Sequence, residues 1–237
     1  MKIKSDYPLI SCICITHNRP ELLLHSIISF EHQNYPNKEL VVSYPNTDET
    51  SRNMIEKVIR LSQLNVIQVE REKEESLGRA RNLAVRNANG DYICTWDDDD
   101  WHHPERLTYQ MNAILSDQQY KASMIRRVIL YNKVTSTAYL SASYNWSGTL
   151  LCEKELIKQH PHQATNRLED TPLILFLESE KYLYHIEDIY ELYIYVNHGS
   201  NLLDPIHFRY FTRNGPKFNP EITKDIENTI GASFEIK

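Results

Sequence analysis

The sequence predicts an α/β chain built on a mostly parallel, doubly wound sheet with helices on both faces. Three observations predict it. Four β-rich apolar runs alternate with three amphipathic stretches over residues 9–96, the pattern of successive βαβ units. The joints between them carry helix-start and helix-stop chemistry. With 237 residues, 41% of them hydrophobic, the chain is long enough to bury such a sheet without disulfide or metal staples.

The elements follow in order. Residues 9–16, Leu-Ile-Ser-Cys-Ile-Cys-Ile-Thr, form the first strand. Asn18 offers an N-cap and Pro20 sits just inside the helix that follows, with Leu23, Ile27 and Phe30 as its apolar stripe. The Asn34–Lys38 turn ends that helix, and Glu39–Ser43 is the second strand. Asp48–Leu61 reads as a helix with Met54, Ile55, Val58 and Leu61 inward, and residues 65–69 as the third strand. Ser76 caps a helix carrying Leu77, Ala80, Ala84 and Ala88 on one side; Asn89-Gly90-Asp91 stops it, and Tyr92–Trp96 is the fourth strand. The second half is less regular: a helix over Pro104–Leu115, strands over Met124–Tyr131 and Thr149–Cys152, and a helix over Asp170–Glu180. Extended Tyr-rich runs follow over Tyr182–Ile186 and Tyr190–Val196, and then a lightly packed tail. Ligands of such sheets bind outside the carboxyl ends of the strands, which directs attention to Thr16–Arg19, Ser43–Asn46 and Asp97–Asp100.

Composition narrows the function. Lys and Arg number 26 against 32 Asp and Glu, a net charge of −6, which argues against nucleic acid as a partner. The six glycines fall at 78, 90, 148, 199, 215 and 231, so neither G-x-G-x-x-G nor G-x-x-x-x-G-K-[ST] occurs. Both backbone phosphate cradles are absent, and a phosphorylated ligand needs another source of positive charge. The four cysteines form no C-x-x-C pair and read as reduced core thiols. The Met1–Asp6 start lacks a signal peptide's apolar region, and no apolar run approaches the roughly 18 residues of a membrane span. The expectation is a soluble, cytoplasmic chain.

Asp97-Asp98-Asp99-Asp100 follows the fourth strand directly. Adjacent carboxylates repel, and a bound divalent cation reverses that cost because hard cations take oxygen ligands. An EF-hand would need Gly and Glu at its sixth and twelfth positions, which here are His102 and Thr108. The bare alternative is a solvated acidic loop.

The stretch from Gly90 to Leu107, GDYICTWDDDDWHHPERL, resembles the D-x-D region of the inverting family-two glycosyltransferases. Four further segments resemble that family in the same order: Ile15-Thr16-His17-Asn18-Arg19-Pro20, Gly78-Arg79-Ala80-Arg81-Asn82, Leu168-Glu169-Asp170-Thr171 and Asn197-His198-Gly199-Ser200-Asn201. The resemblance runs from about Leu9 to about Asn201. It implies the GT-A fold, a mostly parallel doubly wound sheet with a smaller mixed acceptor-side sheet. It implies a transferase domain over 1–202, with a nucleotide-binding half at 1–100 and an acceptor-binding half at 101–202, and then a C-terminal helical tail over 203–237.

The implied reaction transfers a sugar from a nucleoside diphosphate, UDP-sugar by default, to a hydroxyl of a glycan or lipid-linked acceptor, in surface-polysaccharide synthesis of a bacterial type. The implied cofactor is Mn²⁺ or Mg²⁺, held by Asp99 with His198 completing the shell or donating to the β-phosphate. For His198 a plain turn histidine is the alternative. Asp170 is implied as general base with Glu169 as helper, although both residues also suit a helix N-terminus. Thr16, Asn18, Arg19, Ser43, Arg81, Asp97 and Asp98 are implied on the nucleotide side, with Asp97 nearer the ribose and Asp98 or Asp100 orienting water or sugar hydroxyls. Trp101 and Trp146 are implied on the acceptor side, where Trp146 either stacks on a sugar or belongs to the core.

One segment departs from the family. The second strand usually ends in a V-D-D-G-S turn whose Asp contacts the base; here Val42-Ser43-Tyr44-Pro45-Asn46 carries no such carboxylate, so Ser43, Tyr44 or Asn46 must substitute. A catalytically degenerate nucleotide-sugar-binding or scaffold protein of the same fold is the competing reading. In the tail, His207-Phe208-Arg209-Tyr210-Phe211-Thr212-Arg213 and Lys217-Phe218 interleave bases and aromatics, a pattern for peripheral contact with the inner face of a membrane or for a helix packing its rings on the domain.

Overall fold

A computed structural model of the chain describes residues 7–199, 201, 205–213 and 215–232. The Met1–Asp6 start and Asn214 lie outside them. The elements run β1 (Ile10–Ile15), α1 (Pro20–Glu31), β2 (Lys38–Pro45), α2 (Glu49–Leu61), β3 (Val66–Arg71), α3 (Leu77–Asn87), β4 (Tyr92–Thr95), β5 (Trp101–His102) and α4 (Arg106–Leu115). They continue with β6 (Ala122–Ile125), β7 (Ile129–Asn132), β8 (Thr137–Leu140), β9 (Leu151–Glu153), α5 (Lys154–Gln159), α6 (Thr171–Ser179), β10 (Leu183–Ile186), β11 (Tyr193–Asn197), α7 (Pro205–Arg213) and α8 (Pro220–Ala232).

Among the described residues the strands form a seven-stranded sheet, ordered β10-β6-β9-β4-β1-β2-β3, and a four-stranded sheet, ordered β5-β11-β7-β8. The large sheet is parallel except for β9, which runs against both β4 and β6. Period-two alternation decides which side chain meets which helix layer. Ile10, Cys12 and Cys14 of β1 join Leu40, Val42 and Tyr44 of β2 against Leu23, Ile27 and Phe30 of α1, Ile55 of α2 and Leu107 and Met111 of α4. Ile13 and Val41 face the other way, onto Ala84 and Val85 of α3, Ile157 of α5 and Leu173 and Leu177 of α6. Both faces are therefore covered, as near-continuous apolar parallel strands require. The cysteines are free and buried in these layers.

Several local expectations change. Arg19, not Asn18, is the N-cap of α1, and its side chain makes no capping bond; Asn18 instead adopts φ +52°, a turn conformation Asn tolerates. Leu61, expected inward, is 70% exposed at the last residue of α2. The run read as one strand over Met124–Tyr131 is two strands in different sheets, β6 in the large and β7 in the small, joined through Arg126–Val128. The strand read over Thr149–Cys152 begins only at Leu151, after a 3-10 turn at Ser147–Thr149, and Tyr190–Leu192 is likewise 3-10 before β11.

The tail is packed rather than loose. Phe208 and Phe211 of α7 are buried with Trp146, Leu130 and Tyr193, and Ile226 of α8 is buried with Trp101, Ile129 and Ile194. Burying a ring of this size is worth roughly 1.5–3 kcal/mol. Phe208 and Phe211 thus follow the expected alternative of a helix packing its rings on the domain, while Arg209, Tyr210 and Arg213 remain exposed. Among the described residues no helix is long and apolar enough to cross a membrane.

Candidate active site

The carboxyl ends of β1, β2, β3 and β4 lie side by side, and the loops leaving them build the site. After β4 the acidic run turns through Asp97–Asp100 and enters β5. Its support is a buried arginine that the sequence reading did not single out. Arg106 donates from Nη2 to the carbonyls of Thr95 and Gly148, each at 3.1 Å, and from Nε to Gln110 Oε1 at 2.9 Å. Its Nη1 donates to His102 Nδ1 at 2.6 Å, and its guanidinium lies over the rings of Trp96 and Tyr193. Burial and the adjacent Arg106 charge hold the His102 imidazole well below its ordinary pKa, and thus neutral.

The four aspartates have different fates. Asp100 is buried, accepting from the Tyr193 hydroxyl and from Val196 N–H at 2.9 Å. It locks the acidic turn to β11, so the expectation that it orients water or sugar hydroxyls gives way to an internal role. Asp98 Oδ1 pairs with Arg19 Nη2 at 3.0 Å, while Asp98 Oδ2 is buried and has no hydrogen-bond partner among the described residues. Burial and the neighbouring Asp99 charge push the Asp98 carboxyl up to about 7, against the opposing pull of Arg19.

Asp99 Oδ2 receives Arg19 Nη1 at 3.1 Å, His198 Nε2 at 3.3 Å and Asn201 Nδ2 at 3.4 Å. Burial presses this carboxyl upward, but the His198 bond and the Arg19 charge prevail and hold it below the usual carboxylate range. Asp97 faces the opposite wall, where its Oδ1 meets Arg81 Nη2 at 3.2 Å. Gly148 lies against it: a Cβ there would stand 2.8 Å from Asp97 Oδ2 and 2.7 Å from the Tyr193 hydroxyl. Only glycine lets the Trp146–Thr149 turn approach this closely.

Arg81 is the junction of the site. It is 8% exposed and meets Asp97, Glu169 Oε1 at 2.7 Å and Asp170 Oδ2 at 3.4 Å. Carboxylates from two distant segments thus share one guanidinium, an arrangement in which the cation offsets the cost of burying the anions. Burial pushes the Glu169 carboxyl up, with Arg81 opposing.

The helix carrying Arg81 also fixes the loop carrying its partners. Gly78 N–H donates to Thr165 O at 3.0 Å and Leu77 N–H to Asn166 Oδ1 at 2.8 Å. Asn82 exchanges two bonds with the His162 backbone, at 2.8 and 3.0 Å. The spacing of Gly78, Arg81 and Asn82 places the close approach, the cation and the clamp on one face of α3. His162 is buried behind Arg81, and burial, aided by the Arg81 charge, lowers its imidazole to about 4.

Of the residues expected on the nucleotide side, Thr16, Asn18, Arg19 and Ser43 lie at the ends of β1 and β2, while Arg81 sits on α3 and Asp97 and Asp98 follow β4. Thr16 N–H donates to Ser43 O at 3.0 Å, and Thr16 O accepts from Arg71 Nη2 at 2.9 Å. Buried here without partners among the described residues are Thr16 Oγ1, Ser43 Oγ and Arg71 Nε and Nη1. Buried polar atoms are rarely left unpaired, and Thr16 also lowers the Asp98 carboxyl as a side-chain hydrogen-bond partner. Asn18 N–H donates to Asp48 Oδ2 at 2.6 Å, and Tyr44 is tied by its hydroxyl to Gln68 at 2.8 Å. Arg71 and Asp48 escaped the sequence reading; their only signal was position, at the end of β3 and the start of α2.

Both tryptophans expected on the acceptor side are buried, Trp146 following its core alternative. Trp101 is buried in the core of the small sheet among Ile129, Tyr131 and Val196, because β5 turns its ring inward. Trp146 is 9% exposed and packs against Phe211, with centroids 4.6 Å apart. Neither presents a face for stacking on an acceptor.

Asp99 Oδ2 and His198 Nε2 lie 3.3 Å apart, and Asp98 Oδ2, in the same loop as Asp99, has no partner within hydrogen-bond distance among the described residues. Among the described residues no cluster of three or more His, Cys, Asp or Glu forms a metal-binding group. A two-residue donor set nevertheless fits Mg²⁺ or Mn²⁺, ions that take one or two protein ligands and fill the rest of the shell with phosphate and water.

The profile of Glycosyl transferase family 2 matches residues 11–168. MJ1057, an uncharacterised glycosyltransferase of Methanocaldococcus jannaschii, is 32% identical over 106 residues, covering 44% of this chain and 37% of that one. An uncharacterised glycosyltransferase of Haemophilus influenzae is 26% identical over 164 residues, 65% of each chain. WfgD of Escherichia coli, a UDP-Glc:alpha-D-GlcNAc-diphosphoundecaprenol beta-1,3-glucosyltransferase, is 31% identical over 112 residues, 47% of this chain and 43% of that one. The chain thus spans between 37% and 65% of these relatives. Among solved structures, S. aureus TarS 1-349 in complex with UDP-GlcNAc superposes with a TM-score of 0.65 at 18% identity, over 95% of this chain and 72% of that one. The mannosyltransferase PcManGT of Pyrobaculum calidifontis, in complex with GDP-Man and Mn²⁺, gives 0.61 at 16% identity, over 81% and 57%. The sheet order and helix layers above are those of the GT-A fold, and the chain belongs to glycosyl transferase family 2.

Proposed function

We propose that this chain moves a sugar, with inversion, from a nucleoside-diphosphate donor, UDP-sugar favoured, to a hydroxyl of a glycan or lipid-linked acceptor. The observation that carries the reading is the meeting at Arg81 of Asp97 with Glu169 and Asp170. It brings carboxylates of the loop after β4 and of the loop before α6 to one cleft, as direct displacement between a donor and an acceptor requires. TarS with UDP-GlcNAc, and WfgD as a UDP-Glc enzyme, support the choice of donor.

Thr16, Ser43, Asn18 and Arg71 bind the base and ribose at the unpartnered polar cluster, with Asp97 nearer the ribose. Asp98 lies against the diphosphate side beside Arg19. Asp99 and His198 would hold a divalent ion, Mn²⁺ or Mg²⁺, and PcManGT in complex with Mn²⁺ supports the use of such an ion. When bound, the ion supplies positive charge against the departing diphosphate. Asp170 takes the proton of the acceptor hydroxyl at its carboxylate. Glu169 orients that hydroxyl, and Arg81 keeps both carboxylates facing the cleft.

The absence of a carboxylate within Ser43–Asn46, where the family's V-D-D-G-S turn carries one, favours a second reading, a nucleotide-sugar-binding protein without turnover. Hydrolysis of UDP-sugars separates the two, since a live transferase site leaks sugar to water. Thermal melting tests the donor assignment itself. UDP with Mn²⁺ is expected to raise the Tm more than Mn²⁺ alone, through binding to the folded state. A Tm unmoved by UDP, GDP or CDP with Mn²⁺ would contradict it.

A further inference from the structure

Arg19 stands at a sharp turn. Asn18 takes φ +52° and is held there by its N–H bond to Asp48 Oδ2 at 2.6 Å. The turn aims the Arg19 side chain away from α1 and across the sheet ends to the acidic loop. There its two terminal nitrogens divide between two carboxylates, Nη2 to Asp98 Oδ1 at 3.0 Å and Nη1 to Asp99 Oδ2 at 3.1 Å. The Arg19 side chain is 33% exposed, against 2% for Asp98 and 16% for Asp99. The cation therefore covers the carboxylates from the solvent side. Asp99 Oδ2 is the same oxygen that His198 Nε2 reaches at 3.3 Å.

We propose that Arg19 is the resident cation of the acidic loop, occupying the Asp99 oxygen that a divalent ion would take, so that the ion and Arg19 exclude each other until a nucleoside diphosphate draws Arg19 away. Like charges repel at contact distance, and Arg19 Nη1 already stands 3.1 Å from Asp99 Oδ2, on the oxygen an ion would take. A diphosphate resolves both difficulties. It offers a guanidinium a bidentate partner at least as good as two separate carboxylates, and its own oxygens complete an ion's shell. Ion binding is then coupled to nucleotide binding, and by linkage each raises the affinity of the other. This inference rests on the proposed reading that the site takes a nucleoside diphosphate.

The test is Mn²⁺ titration of the full chain, followed by electron paramagnetic resonance, with and without UDP. Wild-type protein is expected to bind Mn²⁺ at least about tenfold more tightly with UDP, and Arg19→Met to bind Mn²⁺ about tenfold more tightly than wild type without nucleotide. Arg19→Lys, which keeps the charge, is expected to stay within about threefold of wild type. Equal wild-type affinity for Mn²⁺ with and without bound UDP would overturn the proposal, and this measurement needs no variant to fold. So would an Arg19→Met affinity no tighter than wild type in a variant whose circular dichroism is native. If calorimetry shows no UDP binding to wild type, the donor reading fails instead, and the nucleotide-free comparison still decides the role of Arg19.

Discussion

Single side chains carry most of the site's energetics. Among the described residues Arg81 is the one cation paired with Asp97, Glu169 and Asp170, so Arg81→Met leaves the buried Glu169 and Asp170 uncompensated and is expected to cost roughly 3–5 kcal/mol in urea unfolding. His162 gives a pH signature. Its imidazole, facing Arg81 and Asp170, is lowered to about 4 from 6.5, so the unfolded chain binds the proton more readily. Its contribution is fully present above pH 6.5 and is lost as pH falls toward 4, a loss of about 3 kcal/mol. His162→Gln is expected to flatten the stability profile across that window, and an unchanged slope would refute the assignment. The residue types in the acidic run were legible in sequence, but their division of labour was not. Asp97 meets Arg81 and Asp100 meets Tyr193 through contacts that only the folded chain brings together.

At the scale of elements, the parallel half was legible because its cues are local: alternating strands, Ser76 capping α3 and the Asn89-Gly90-Asp91 stop. The split between β6 and β7 was not, because an apolar run reads the same whether one strand or two sheets use it. The docking of α3 on the 162–170 loop was equally hidden. A Cβ on Gly78 would stand 1.7 Å from Gln163 O, so Gly78→Ala must push the loop bearing Glu169 and Asp170 outward. Misplacement by about 1 Å is enough to cost turnover roughly a hundredfold. The expected outcome is that loss in kcat with UDP affinity retained, since Thr16, Ser43 and Arg71 lie on other elements.

For the whole molecule, the proposed function places the donor at the strand ends of the large sheet, while α7 and α8 pack on the small sheet, on Leu130 and Tyr193 and on Trp101, Ile129 and Ile194. Phe211 is 5% exposed beneath Trp146, and Phe211→Ala is expected to cost about 3–5 kcal/mol, read as a lower Tm with the nucleotide contacts intact. The tail's aromatic spacing was legible, but not that its rings face Trp146, since an amphipathic helix declares a face without naming what covers it. The central claim is that the two carboxylate segments meet at Arg81 to serve transfer, with Asp170 as the base. It is tested most directly by UDP-sugar turnover with Mn²⁺ in wild type and Asp170→Asn, with UDP affinity measured on the same samples. The account predicts a loss of at least about a hundredfold in turnover and UDP binding within about twofold of wild type. Full turnover by Asp170→Asn would contradict it.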